Sequence, residues 1–226
     1  MTRPVVRLAA AILAMLVVCT AAATASEIRD YSVRLTVDAA GDAVATLDLT
    51  AVVSEGELVV PLAYTGVTDL RVRQAPTDAR LTLATRDGRE VLILMTAASS
   101  APQSISVEFR VPGVMAQPLA SGHRVIRHQL LNTRSVPLER YLVTVVFPDA
   151  WRAHAVREGA PRVRLEAVEG APGARFEVTN LLQGESATMR IEMVARQRSW
   201  SWLLVGLLLA VGYLISFRDL IRPAGR

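Results

Sequence analysis

YSVRLTVDAAGDAVATLDLTAVV, residues 31–53, alternates apolar and polar side chains on both sides of a turn. Tyr31, Val33, Leu35 and Val37 are separated by Ser32, Arg34 and Thr36. After Asp38–Asp42, Ala45, Leu47, Leu49, Ala51 and Val53 line one face and Thr46, Asp48 and Thr50 the other. A period of two is that of a strand with one buried face, and Asp-Ala-Ala-Gly-Asp supplies the turn. The stretch predicts an antiparallel hairpin and a β-rich fold.

The same pattern continues downstream. Leu58–Pro61 is a short apolar run ended by proline, and Val67–Gln74 alternates weakly through Leu70 and Val72. Asp87-Gly88 sits between strand-like runs in Leu81–Thr96, and that dipeptide suits the positive φ angles of a type I′ hairpin. Val91–Met95 is apolar on both faces, which predicts a central strand. Ile105, Val107, Phe109 and Val111 alternate again before Pro112-Gly113. Seven strands are thus expected from Ile28 to Val111, about the number in an immunoglobulin-like sandwich.

Residues 112–122, PGVMAQPLASG, have no strand pattern and read as an internal boundary. Strands are expected again over His123–Asn132, Glu139–Pro148, Arg162–Val168, Ala174–Thr179 and Ala187–Arg196, with Trp151 closing a core end. The expected organisation is a first β-sandwich over 26–111 and a second over 123–198, packed as two sub-domains. Asn132, Pro137, Phe147-Pro148 and Trp151, followed by Leu182-Gln183-Gly184-Glu185-Ser186, together resemble bacterial immunoglobulin-like and fibronectin-like surface modules. These are turn and core residues, so the resemblance implies a fold and no activity.

The ends of the chain differ from its middle. Met1–Ala25 carries Arg3 and Arg7, then an uncharged run from Leu8 that ends in Ala23-Thr24-Ala25. That is the order of a secretory signal peptide cut after Ala25, or of an uncleaved signal anchor. Ser199–Phe217, SWSWLLVGLLLAVGYLISF, contains no charge and is followed by Arg218, Arg222 and Arg226. It predicts a single membrane span over 199–217 and a cytoplasmic tail over 218–226, with the bulk of the chain extracytoplasmic at the cell membrane.

All 25 basic side chains are arginine, and five of them flank the two apolar runs. The remaining 20 face 20 acidic residues between Ser26 and Ser199. The central part is neutral, so the net charge of +4 gives no argument for nucleic acid. Cys19, inside the expected signal, is the single cysteine, which rules out a disulfide or a thiol nucleophile downstream.

No catalytic constellation is legible. Ser186 lies in no G-x-S-x-G motif. Asp38 with Asp42, and Glu55 with Glu57, read as solvated turn acids. Arg71, Arg73, Arg80, Arg86 and Arg89 are interspersed with acids and read as a mixed surface. A copper site built from Met115, His123 and His128 is the sharpest metal idea. No catalytic, cofactor-binding or metal residue is assigned, and no cofactor or small-molecule substrate is expected. The expected function is a non-enzymatic, membrane-anchored protein that binds or scaffolds another cell-envelope component, with the lipid bilayer and an envelope or membrane protein as partners. The alternative is an extracytoplasmic enzyme or metal-binding module whose site is assembled from distant loops.

Overall fold

The computed structural model describes residues 26–54, 56–116, 122–134, 137–158, 163–196 and 201–221. The expected export signal over 1–25, residues 117–121 of the expected boundary, Glu55 and residues 222–226 of the expected tail lie outside the described residues.

The fold is mainly β. Its strands are β1 (Glu27–Val37), β2 (Ala43–Val53), β3 (Glu57–Pro61), β4 (Thr68–Gln74), β5 (Arg80–Arg86), β6 (Arg89–Met95) and β7 (Ser99–Val111). Then follow β8 (Met115–Ala116), β9 (Arg124–Leu131), β10 (Leu138–Val146), β11 (Trp151–Glu158), β12 (Arg164–Val168), β13 (Ala171–Leu181) and β14 (Ser186–Ala195). Seven strands precede Pro112, as the alternation predicts. At the Asp87-Gly88 turn both residues have positive φ, 52° and 73°, as a type I′ turn requires. The strand over Trp151–Glu158 is one the sequence reading did not expect. There Trp151 and Ala153 pack against the core while Arg152 and His154 are exposed.

Three sheets form. The largest has the order β12-β13-β10-β1-β2-β7-β4, the second β11-β14-β9-β8, and the third β3-β6-β5. Val91–Met95 is indeed the middle strand of its sheet. In the largest sheet β1 is antiparallel to β2 but parallel to β10, with Tyr31 opposite Tyr141 and Val33 opposite Val143. Strands from both sides of residues 112–122 therefore share one sheet. They also share one core, in which Leu35, Leu47, Val107, Val143 and Phe176 of the large sheet join Leu58 and Leu92 of the smallest and Ile126 and Ile191 of the second. The described residues from Ser26 to Val194 belong to a single compact unit.

The second unit, residues 195–226, holds the helix α1 (Ser201–Ile221). Its described side chains run from Leu204 to Phe217, and all are exposed. Among the described residues no helix is long and apolar enough to cross a membrane. The single-pass placement at the cell membrane, read from the uncharged run at 199–217, is corrected accordingly.

Sheet packing is close enough to exclude a methyl group at one point. A Cβ on Gly173 in β13 would lie 2.6 Å from the carbonyl oxygen of Val145 and 2.8 Å from Val168 Cγ2. Backbone cannot yield as a side chain tip can. Gly173→Ala is expected to lower stability by about 1–3 kcal/mol through overpacking. Urea unfolding monitored by tryptophan fluorescence checks this, and an unchanged midpoint would count against it.

Candidate functional site

An edge strand exposes unpaired backbone groups, and proteins cover such edges. Among the described residues β3 pairs with β6 on one side only. On its other side the carbonyls of alternate residues point outward, and each finds a side-chain donor. Ser26 Oγ donates to Glu57 O at 3.3 Å, Arg134 Nη1 to Val59 O at 2.7 Å, and Tyr31 Oη to Pro61 O at 2.6 Å. The donors come from the approach to β1, from β1 itself and from the turn after β9.

Arg134 is fixed from several directions. Its Nη2 also donates to Ser26 O. Its backbone N–H donates to Asn132 Oδ1 at 3.0 Å, and Asn132 Nδ2 donates to Leu181 O at 2.8 Å. Burial pushes the Arg134 pKa down, yet a guanidinium stays protonated in a protein. A half-buried cation thus holds two backbone carbonyls.

Beside this edge runs a groove of about 790 Å³. Val59, Leu62, Val91 and Leu131 supply its apolar lining, and Glu57, Arg86, Asp87 and Arg89 its charged rim. Arg86, next to the Asp87-Gly88 turn, donates to Glu57 at 2.8 Å. Glu90 is committed to the backbone N–H groups of Gly66 and Val67, at 2.9 and 3.0 Å. Asp87 and Arg89 make no ion pair among the described residues. A second depression, of about 380 Å³, lies on the outer face of the large sheet. In it Ser106 Oγ donates to Asp48 at 2.5 Å, and Arg140 pairs with Asp30 and with neighbouring Glu177.

In the core lies a buried polar cluster. His128 Nδ1 meets the hydroxyl of Tyr64, and Nε2 meets that of Tyr141. All three side chains are enclosed. Desolvation lowers the imidazole pKa to about 3 and raises those of the tyrosines. The neutral ring donates from one nitrogen and accepts at the other, so it exchanges no proton at neutral pH. Having no contact with solvent, it supports architecture and not catalysis.

The structure separates the sequence-level metal candidates. Met115 is buried in β8 and His128 is bound between two tyrosines, so neither joins His123. His123 instead stands against His154, with ring centroids 4.9 Å apart. Asp38 caps its own turn by accepting from the N–H groups of Gly41 and Asp42, at 2.8 and 3.0 Å. Asp42 accepts from Gly113 N and Arg110, which hold its pKa below the usual carboxylate range. Ser186 opens β14 as an exposed residue. Of the basic run, Arg86 pairs with Glu57 and Arg73 with Glu108. Sequence reasoning missed Arg134 and the Tyr64–His128–Tyr141 cluster, because nothing local marks a lone loop arginine or tyrosines so distant in the chain.

No known family profile matches the chain, and no curated protein matches it. Three solved structures to which it is similar are a putative protease from Parabacteroides distasonis, yeast LTA4 hydrolase in complex with bestatin, and an M1 zinc metallopeptidase from Deinococcus radiodurans. Identities are 13%, 14% and 13%, and TM-scores 0.48, 0.47 and 0.43. They cover 76%, 74% and 74% of this chain but only 41%, 28% and 42% of the other. The chain spans less than half the length of each. A likeness at these identities and scores carries no statement about what this chain does.

Two expectations follow from the buried polar groups. The folded pKa of His128, about 3, lies below the ordinary 6.5, so between those values the unfolded chain binds the extra proton. Its contribution to stability is complete above pH 6.5 and is lost as pH falls toward 3, on the order of 5 kcal/mol in total. In proton NMR the ring resonances of His128 should stay fixed from pH 8 to 5; a His128 midpoint near 6.5 would refute its burial as neutral imidazole. Replacing Arg134 by leucine removes the donors to Val59 O and Ser26 O. A loss of about 1–3 kcal/mol in urea unfolding is expected, with self-association visible by sedimentation as the β3 edge is uncovered. A variant with wild-type stability would show that the clamp contributes nothing.

Proposed function

We propose that this chain is a non-enzymatic β-domain protein that binds or scaffolds another protein, and that the groove beside β3 is where an extended segment of that partner lies. The groove itself carries the reading. It combines an apolar lining with a rim on which Arg89 and Asp87 remain unpaired among the described residues, and it follows a strand edge. Because N–H and C=O of one strand residue face the same edge, the Val59 N–H points the same way as the carbonyl held by Arg134. An extended peptide with an acidic residue for Arg89, a basic one for Asp87 and apolar side chains between them complements this surface.

The scaffold inferred for this role is a sandwich in the broad sense, a seven-stranded layer faced by two smaller ones. That keeps the immunoglobulin- or fibronectin-like expectation at the level of layering. The parallel β1–β10 pair departs from the antiparallel sheets of those domains. The two sub-domains expected on either side of residues 112–122 become, in this reading, two parts of one core.

Selection of binders from a random peptide library displayed on phage tests the proposal. Selected peptides should share a mixed-charge, extended pattern. Arg89→Glu with Asp87→Lys should weaken their binding by about tenfold or more while changing stability by about 0.5 kcal/mol or less. Failure to select any peptide, or selected peptides that bind the charge-reversed protein equally well, would reject it.

A further inference from the structure

The geometry points to a two-histidine site for a divalent transition-metal ion, formed by His123 and His154 on the outer face of the second sheet. The two residues are far apart in sequence. His123 stands just ahead of β9, and His154 lies on β11. β14 separates these strands in the sheet, so the two rings meet across an intervening strand. Their centroids are 4.9 Å apart with the planes at 63°. An ion about 2.0–2.1 Å from one nitrogen of each ring fits between rings at that spacing.

The site differs from the third histidine in what its nitrogens are doing. His128 spends both nitrogens on tyrosine hydroxyls inside the core. His123 and His154 make no hydrogen bond to protein among the described residues. His154 is exposed and His123 half-buried. Arg124, next to His123 in sequence, holds its guanidinium over the ring of Trp151, 4.9 Å from the centroid. Among the described residues no third histidine, cysteine, aspartate or glutamate completes a cluster. The remaining coordination positions are therefore for water or an outside ligand.

That donor set selects the metal class. Two imidazoles favour zinc, nickel and copper over magnesium or calcium, and Cu²⁺ binds such nitrogens most tightly in the first row. With open positions and no thiolate or carboxylate, the site suits reversible ion capture and not a closed structural metal. The site lies at the opposite end of β9 from Leu131 of the β3 groove and does not depend on the peptide-binding reading.

Calorimetric titration of the untagged full-length chain with Cu²⁺, with electron paramagnetic resonance of the product, tests this. One ion per chain with nitrogen ligation is expected. His123→Ala and His154→Ala should each weaken binding at least tenfold, with unchanged thermal unfolding in the absence of metal. The idea is overturned if the double variant binds Cu²⁺ as tightly as the wild type. It is equally overturned if only one histidine matters, or if the wild type takes up no ion at millimolar concentration.

Discussion

One imidazole in the middle of the core constrains the whole β unit. His128 belongs to β9 in the second sheet, Tyr141 to β10 in the large sheet, and Tyr64 to the connection leaving β3 in the third. A buried polar group without a partner costs several kilocalories per mole, so each of these side chains needs the other two in place. Hydrophobic packing alone tolerates sliding of one sheet on another; a saturated polar cluster does not. Tyr31 extends the arrangement. It packs edge-on against Tyr141, with centroids 5.1 Å apart, while its hydroxyl reaches Pro61 O. β1 is thereby tied to both the parallel β10 beside it and the β3 edge above it.

The edge of β3 shows how the same economy shapes the surface. Three alternate carbonyls are covered by three side chains of different chemistry, and the covering groups are themselves held. Asn132 fixes the backbone of Arg134 and also receives the Gly184 N–H at its own carbonyl, 2.8 Å away. The turn before β14 and the cap on β3 are therefore one structure. Along the wall of the groove, the three outward carbonyls of this edge are already satisfied. The charges left over, Arg89 and Asp87, flank a hairpin turn whose conformation is dictated by the Asp-Gly pair.

Local signals in the sequence reached the strands and most turns. Alternation at residues 31–53 gave the first hairpin, whose register sets Val33 opposite Leu47. The doubly apolar run at Val91–Met95 gave a central strand. β11 was legible in principle, since Trp151 and Ala153 alternate with Arg152 and His154, but Pro148-Asp149 drew the reading toward a turn and a plug. What periodicity cannot show is which strands meet. Nothing near Tyr31 announces Tyr141 as its parallel neighbour, and so a break at residues 112–122 looked like a boundary although the large sheet crosses it. The candidate sites were hidden for the same reason. The spacing between His123 and His128 invited a comparison of those two, whereas the fold sends one into the core and sets the other against His154.

The helix poses the opposite problem, a segment whose composition is plain and whose surroundings are not. Leu207, Leu208, Leu209, Leu214 and Ile215 are each more than 60% exposed. Inside the β unit, side chains of the same kind are almost fully enclosed: Leu35, Leu47 and Leu58 retain no exposure. Burial of a leucine contributes roughly 1.5–3 kcal/mol, so the helical run withholds from folding what the β unit takes in full. The β unit has its own core of enclosed side chains. Its buried histidine, its capped edge and its groove are consequences of how three sheets close on one another.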